Sequence, residues 1–407
     1  MAKIAVVHDW FNCIAGSEKV VKEMMHCYPE ADVFSLVDHL TDEQRHSLGI
    51  LKPITTTFIN KLPLQSKFRN YLPLMPMAIE QLDLRGYDMV LSSSHAFARS
   101  CLTSSEQLHV SYLHTPIRYA WDMYHEYLGQ QKAGFGIKNS LLRCVLHYIR
   151  NWDRSTADRP DVYIANSGYV RNRIKKTYNR EAHVVYPPVD VHRMTVEPRK
   201  DNFFLAAGRL VPYKRFDLVV EAMKHLPNER LVLIGDGPEM KKIKSLAGSN
   251  IEVMGYQPDE VMHDHMRRAK AFVFAAIEDF GIMPVEAQAC GTPVIGINQG
   301  GVAETVIHRE TGLLFEDQTV ESLTDAMATL SGLPSDFFAP NRIRQHAETF
   351  SREVFRDQLQ AVVKQSSIEW AEKMRIRKPG ELLANAFKDS TQSDSPAARH
   401  SRDPELI

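Results

Sequence analysis

The sequence predicts an α/β protein built from two Rossmann-like, doubly wound domains that face each other across a cleft. Short apolar runs recur along the chain with helix-period segments between them, and that alternation argues for parallel sheets covered by helices. The length of 407 residues suggests two domains rather than one. Pro187-Pro188 follows a strand-like run and supplies a break, which puts the first domain at residues 1–187 and the second at 188–350.

Lys3 to His8 (KIAVVH) is nearly all apolar, as a central parallel strand buried on both faces should be. A loop follows to Gly16, and Ser17 is placed to cap a helix whose Val20, Val21, Met24 and Met25 share one face. Ala31 to Val37, Met89 to Ser92, His109 to Leu113, Asp161 to Ala165 and His183 to Tyr186 are the next strands, and Ser167 can cap the helix after Ala165. Tyr124 to His147 reads as helix interrupted by Gly129, Gly134 and Gly136, and Leu141 to Asn151 is amphipathic with basic residues on one side.

In the second domain, strands are expected at Phe203 to Ala207, Leu231 to Ile234, Ile251 to Met254, Phe272 to Ala276 and Val294 to Ile297. Helical patterns separate them, for example Phe216 to Leu226 and Glu260 to Ala269. Between Phe272 and Gly301 a helix starts near Ile282, tolerates Pro284 in its first turn, where a missing N–H costs little, and stops at Gly291-Thr292-Pro293. Ser351 caps a further amphipathic helix over residues 351–375, with Phe355, Leu359, Val362 and Val363 on one face. The tail at 388–407 is polar and aperiodic, and disorder is expected there.

Composition narrows the function classes. Hydrophobic residues make up 44% and charged residues 24%, which allows packed cores and excludes disorder throughout. The net charge is −1, with 22 Lys/Arg against 18 Asp/Glu through Pro187 and 27 against 32 beyond it. This is no nucleic-acid signature, while a mildly basic first half tolerates an anionic membrane surface. Residues 50–87 stand apart, with prolines at 53, 63, 73 and 76, basic Lys52, Lys61, Lys67, Arg69 and Arg85, and apolar Phe58, Phe68, Leu72, Leu74 and Met75. Either those apolar groups pack on the sheet, or residues 52–76 dock on anionic lipid. The cysteines Cys13, Cys27, Cys101, Cys144 and Cys290 are scattered and form no C-x-x-C, so reduced thiols are expected. A strand entered at Lys3 leads us to expect no signal peptide, and no run of about 18 apolar residues suggests a membrane span. His263 and His265, two apart on a helix, do not face each other; both are expected to face solvent, and no metal is expected.

Candidate chemistry gathers at predicted strand ends. Gly208-Arg209-Leu210 follows a strand, with Lys214 shortly after: a glycine turn for close backbone approach, a guanidinium fork for two phosphate oxygens, and a point charge. The alternative is a surface Arg and Lys solvating a turn. Glu278 and Glu286 flank the start of the helix near Ile282, whose amides from Phe280 to Met283 point toward an anion. Glu286 suits a ribose diol and Glu278 a transferred sugar; otherwise they are a helix-terminal charge and a loop charge. Gly235-Asp236-Gly237 and Gly255-Tyr256 are turns with possible backbone contacts to a nucleotide. His114 precedes Thr115-Pro116 at a strand end, where it can hydrogen-bond a sugar hydroxyl, relay a proton, or be a satisfied structural histidine.

Taken in order, Gly208-Arg209-Leu210 with Lys214, the Glu278-x7-Glu286 pair with Phe280-Gly281, Gly291-Thr292-Pro293-Val294 and Gly300-Gly301 resemble the retaining glycosyltransferases of family 4, which have the GT-B fold. The likeness covers nearly all of residues 1–375. It implies GT-B architecture with the C-terminal helix crossing back to the first domain. It implies that Arg209 and Lys214 bind the donor diphosphate, that Glu286 holds the ribose, and that Glu278 contacts the donor sugar. Gly208, Phe280, Gly281 and Ile282 would lie along the same donor, and Gly16 would approach its phosphate or the acceptor. Ala15 stands where the family usually has a first glycine. His114-Thr115-Pro116-Ile117-Arg118-Tyr119 is similar to a segment of bacterial mannosyltransferases that build O-antigen and exopolysaccharide, which would put His114 beside the transferred sugar and make GDP-mannose the donor.

The resulting expectation is a hexosyltransferase without metal or cofactor, with His114, Glu278, Arg209 and Lys214 at the reacting centre. Its partners would be a nucleotide-sugar, a polyprenyl-diphosphate-linked saccharide, and the anionic inner face of the cytoplasmic membrane, met through residues 52–76 and 141–151. A UDP-sugar-dependent hexosyltransferase, a sugar-nucleotide epimerase or phosphorylase on the same fold, and a nucleotide-sugar-binding subunit remain rivals.

Overall fold

The computed structural model describes residues 2–130 and 137–374. The first sheet contains β1 (Ile4–His8), β2 (Asp32–Ser35), β3 (Thr55–Thr56), β4 (Met89–Ser94), β5 (Leu108–Leu113), β6 (Val162–Ala165) and β7 (His183–Val184). The second contains β8 (Asp201–Ala207), β9 (Leu231–Ile234), β10 (Ile251–Gly255), β11 (Ala269–Phe274), β12 (Val294–Ile297) and β13 (Gly312–Phe315). Their spatial orders are β3-β2-β1-β4-β5-β6-β7 and β10-β9-β8-β11-β12-β13. Neighbouring strands are parallel throughout. This is the two-domain, doubly wound architecture that the alternating pattern predicts.

In each sheet the winding reverses once, between β1 and β4 and between β8 and β11. Helices after these strand pairs leave in opposite directions, so a crevice opens beyond their carboxyl ends. β1 is buried along its length because helices cover both faces, which is why its sequence carries no alternation. The second domain's core runs from Phe204 and Leu205 on β8 through Phe272 and Val273 on β11 to Ile295 on β12.

Several boundaries differ from the sequence reading for local reasons. The helix Gly16–Cys27 starts one residue before the expected cap, so Ser17 lies inside it and Ala15 is the N-cap; the Glu18 carboxylate reaches back to accept the Ala15 N–H at 2.9 Å. β2 stops at Ser35 because the next backbone turns to the β1 loop: Leu36 N–H donates to Asp9 O, and Val37 O accepts from Phe11. β11 stops at Phe274, where the Gln318 amide takes over Ala275 O at 2.8 Å. The pair His263 and His265 is half-buried rather than solvent-facing, since the His265 ring bonds Val261 O and packs on Phe203. The helices Val320–Gly332 and Pro340–Glu348 and strand β13 carry short or mixed patterns that the sequence reading passes over.

Residues 50–87 fold as short turns of 3-10 helix followed by the helix Met75–Glu80. Phe68 and Met75 are buried in a cluster with Trp10, Ile79 and Phe97, so the large apolar groups here pack inward. Leu64, Leu74 and Met77 remain exposed. Gly134, Gly136 and the 388–407 tail lie outside the described residues.

The chain crosses between domains twice, side by side: Val189 N–H donates to Phe350 O at 3.0 Å, and Val189 bridges Ser351. Ser351 then caps the helix Arg352–Lys373 through Val354 N–H. That helix returns to the first domain, where Phe355, Leu359 and Val363 join the core with Tyr112 and Val20. Arg352 and Arg356 meet Glu23 of the helix Gly16–Cys27 at 3.5 and 3.6 Å. Replacing Phe355, which is 1% exposed, by Ala is expected to destabilise the first domain by about 3 kcal/mol, read as a lower urea midpoint. An unchanged midpoint would mean that the helix does not complete that core.

Candidate functional site

The second-domain wall is built on β8 and β11, the two strands beside its switch point. After β8, Leu210 is buried and its N–H bonds Asp236 O, which holds the turn Pro212–Lys214 against the sheet. Arg209 projects beside it, exposed. The Gly235 turn packs so closely that a Cβ there would lie 1.8 Å from Gly208 O, so Gly235 and Gly208 serve each other's backbone path. Tyr256, after β10, is exposed. Lys214 Nζ lies 3.0 Å from Glu278 Oε1, which joins the ends of the two switch-point strands.

Glu278 sits on the loop after β11, and the Gly300-Gly301 turn supports that loop from behind. Gly301 N–H donates to Glu278 O at 2.9 Å, and a Cβ on Gly301 would fall 2.2 Å from Phe280 Cα. The Phe280 ring is buried against Tyr186 and Phe350, so this residue offers the cleft its backbone and anchors the loop with its side chain. Gly281 and Ile282 then open the helix Ile282–Ala289, with Pro284 in its first turn, as the sequence predicts. The first amides of such a helix have no partner within it and face the crevice. Glu286 is one turn in and buried; burial raises its pKa, with Lys19 of the first domain, 3.8 Å away, opposing. At the other end of this helix Lys200 donates to Cys290 O, Arg267 O and Thr292 Oγ1, while Thr292 donates to Met266 O, which explains the Gly291-Thr292-Pro293 stop.

The first-domain wall lies at the ends of β1, β4 and β5. Asp9 accepts four consecutive amides, from His95, Ala96, Phe97 and Ala98, at 2.6–2.9 Å. Burial works against the Asp9 carboxylate, but His95, His8 and these amides together lower its pKa. Glu18 contacts His8 Nε2 at 3.4 Å; burial raises the Glu18 pKa, and the His8 contact outweighs it to leave the carboxyl at about 2. His114 Nε2 hydrogen-bonds Ser93 Oγ at 2.9 Å, and burial, with His95 and His8 nearby, pushes its pKa down to about 3. The His114 ring is therefore neutral at pH 7. Gly16 faces Ile282 across the cleft: a Cβ would meet Ile282 Cδ1 at 3.2 Å. Ala15 has an extended backbone at φ −131°, which any residue adopts, so the missing first glycine costs nothing there.

The structure thus brings Arg209, Lys214, Glu278, Glu286, Gly208, Gly281 and Ile282 to one crevice, with Gly16 opposite them. His114, after β5, lies beside the first-domain switch point, its ring 6.3 Å from that of His95. Sequence reading misses what ties the walls together. Asp279, next to Glu278, contacts Arg173 and Arg118 of the first domain. Glu304 accepts the N–H groups of Gly168 and Tyr169. Arg118 lies inside the quoted His114–Tyr119 segment and Asp279 inside the Glu278–Gly281 segment, but a lone charge on a loop has no periodicity to betray its partner.

Residues 14–193 match the family described as Glycosyltransferase Family 4, and residues 190–348 match Glycosyl transferases group 1. The chain belongs to the GT-B glycosyltransferases of family 4. This chain is 32% identical over 175 residues to an uncharacterised glycosyltransferase of Methanocaldococcus jannaschii, covering 42% of this chain and 49% of that protein. It is 28% identical over 217 residues to a GDP-mannose-dependent alpha-(1-6)-phosphatidylinositol monomannoside mannosyltransferase of Mycobacterium tuberculosis, covering 46% and 56%. The matched stretches span about half the length of these curated relatives. In fold, the chain is similar to Anabaena HepE in complex with UDP and glucose (TM-score 0.64, 18% identity, 89% of this chain and 99% of that one). It is likewise similar to sucrose-phosphate synthase of Thermosynechococcus elongatus (TM-score 0.66, 17% identity, 90% and 99%).

The buried histidines give a pH prediction. His109, bonded to Ser92 Oγ at 2.8 Å, is also pushed down to about 3 by burial, with Arg99 and Arg159 adding. Unfolded histidine titrates near 6.5. Between these values the unfolded chain binds protons that the folded chain refuses, so the contribution is whole above about pH 6.5 and is lost as pH falls toward 3. His109→Asn is expected to flatten the fall in Tm between about pH 7 and pH 4. A slope identical to the parent's would show that His109 is not held neutral.

Proposed function

We propose that the cleft transfers a hexose, with retention, from a nucleotide-diphospho-sugar on the second domain to an acceptor saccharide on the first. The convergence of Arg209, Lys214 and Glu278 on one switch point carries this reading: two cations and a carboxylate stand where a sugar diphosphate would lie. Arg209 and Lys214 hold the diphosphate and stabilise it as it departs. Once a ligand phosphate takes up Lys214, Glu278 is free to accept sugar hydroxyls. Glu286 receives the ribose diol, with Lys19 moving aside, and the amides of Phe280, Gly281 and Ile282 face the ligand. Gly208 and Gly16 leave room for it. Neutral His114 suits a hydrogen bond to a hydroxyl of the transferred sugar better than proton transfer as an imidazolium.

The acceptor hydroxyl attacks the anomeric carbon on the face from which the diphosphate leaves. The anomeric C–O bond breaks, a new C–O bond forms, and the hydroxyl proton passes to the leaving phosphate. Positive charge for this step comes from Arg209 and Lys214, so the reaction needs no divalent metal. Arg209→Ala and Lys214→Ala are each expected to lose on the order of 10²-fold in kcat, with full parent activity in EDTA. Near-parent turnover by both variants, or an absolute metal requirement, would defeat the reading.

GDP-mannose is the proposed donor, supported by the mycobacterial relatives named for it. The Anabaena neighbour bound to UDP and glucose favours a second reading, a UDP-sugar donor. Thermal-shift comparison of GDP-mannose with UDP-glucose separates the two. Bound pyridoxal phosphate would instead indicate a phosphorylase, UDP release without acceptor an epimerase, and binding without turnover a nucleotide-sugar-binding subunit.

The proposed acceptor is a saccharide on polyprenyl diphosphate at the inner face of the cytoplasmic membrane, in bacterial surface polysaccharide synthesis. No helix among the described residues is long and apolar enough to cross a membrane. Two segments support peripheral docking. Residues 52–76 expose Leu64 and Leu74 with Lys61, Lys67 and Arg69, and residues 141–151 expose Leu141, Tyr148 and Arg143. Both are anchored in one cluster through Phe68, Met75 and Ile149, so they lie on the same part of the first domain. Flotation on anionic liposomes is expected to fall when Lys61, Lys67 and Arg69 are replaced by Ser; unchanged flotation would remove this surface from the proposal.

A further inference from the structure

Asp279 is not among the groups assigned to the donor, yet it is held more elaborately than any of them. Its carboxylate is 15% exposed and lies on the second-domain loop that carries Glu278. Arg173 Nη1 contacts one of its oxygens at 2.5 Å and Arg118 Nη1 approaches the other at 3.6 Å. Both arginines belong to the first domain: Arg118 follows β5, four residues after His114, and Arg173 is on the helix Gly168–Tyr178. Arg173 is fixed in turn by Asp122 at 2.6 Å, by Thr115 Oγ1 at 3.3 Å and by the Tyr169 ring beneath it. Arg118 lies over the ring of Tyr213, the residue before Lys214. The two arginines therefore reach both loops that meet in the Lys214–Glu278 pair.

A second tie grips the same first-domain helix at its N-terminus. Glu304 accepts the Gly168 and Tyr169 N–H groups at 2.8 and 2.7 Å and the Tyr186 hydroxyl at 3.1 Å. A carboxylate at a helix N-terminus is favoured by both the free amides and the dipole. With Glu304 at the start of this helix and Asp279 one turn later, the second domain holds one rigid element of the first at two points. The loop between β11 and the helix Ile282–Ala289 is consequently supported from two sides. Gly301 fixes it within the second domain, and the arginines fix it from the first.

We propose that Asp279 is a positioning residue that acts through Glu278: closure of the cleft, by engaging Arg118 and Arg173, sets the loop that presents Glu278 to the transferred sugar. In an open cleft Asp279 loses both cations and the loop keeps only its second-domain support. The reacting centre is then assembled only when the first domain is in place. That ties presentation of Glu278 to closure of the cleft and limits loss of the sugar to water. This inference rests on the transferase reading of the cleft.

The test has two arms. In solution scattering, the unliganded Asp279→Asn protein is expected to show a larger radius of gyration than the parent; an identical radius overturns the clasp. This arm needs no substrate, so it decides the point even if no donor is turned over and the transferase reading itself fails. In kinetics with the donor that the parent uses, Asp279→Asn is expected to lower kcat roughly tenfold or more, while the dissociation constant for the nucleoside diphosphate, which the second domain binds, stays within about twofold. In a Glu278→Gln background the same substitution is expected to change kcat by less than about twofold, because its effect is routed through Glu278. Additive losses in the double variant, or a parallel loss of nucleotide affinity, overturn the positioning role.

Discussion

Parallel strands impose the constraint on which the rest depends. A parallel sheet has all its carboxyl ends on one edge, and where its winding reverses the covering helices part. This molecule has two such sheets with their open edges toward one another. Every group proposed for catalysis sits one to seven residues past a strand end, where the backbone has left the ladder but remains held by it. The loops owe their rigidity to that proximity. Leu210 returns to bond Asp236, Gln318 completes β11, and Gly301 donates to Glu278, so what reads as loop is fastened at nearly every step.

The cost of placing charge in such a crevice is met differently on the two sides. In the second domain the carboxylates Glu278, Asp279 and Glu286 each contact a cation from another segment, and for Asp279 and Glu286 that cation belongs to the opposite wall. In the first domain, Asp9 is satisfied by backbone amides and Glu18 by one amide and one histidine. These two are structural anions whose charge is spent locally. The second-domain carboxylates have cations that a ligand can replace or that motion of the walls can withdraw, which is what exchange with a substrate requires.

Much of this was legible in the sequence. Strand positions followed from apolar runs, the helix at Ile282 from its proline and its Gly-Thr-Pro stop, and the groups at the crevice from their places after strands. Register and cross-domain contacts were not, and caps were legible in part: Ser167 and Ser351 cap as read, and Ser17 does not. Ser17 looked like a cap because residue type favours it, yet the cap is Ala15, two residues earlier, whose N–H the Glu18 carboxylate accepts. Phe280 looked like a donor-site residue, and the structure shows that its ring anchors the loop in the core. Arg118–Asp279 and Lys19–Glu286 join segments more than 150 residues apart, and a single chain carries no local signal for such a pairing. Lys200 was equally silent: its role as the cation closing two helix ends exists only once Arg267, Cys290 and Thr292 are brought together.

The side-by-side crossings at Val189 and Phe350 have a consequence for how such a chain can be recombined. The second domain leaves and re-enters the first at adjacent points, so topologically it is an insertion with neighbouring ends. The helix Arg352–Lys373 lies outside that insertion and belongs to the first domain's core. A second domain taken from another member of the family therefore has to match the recipient at one paired seam, and the C-terminal helix has to stay with the first domain. A transplant that carried the helix along would remove Phe355, Leu359 and Val363 from the core they complete.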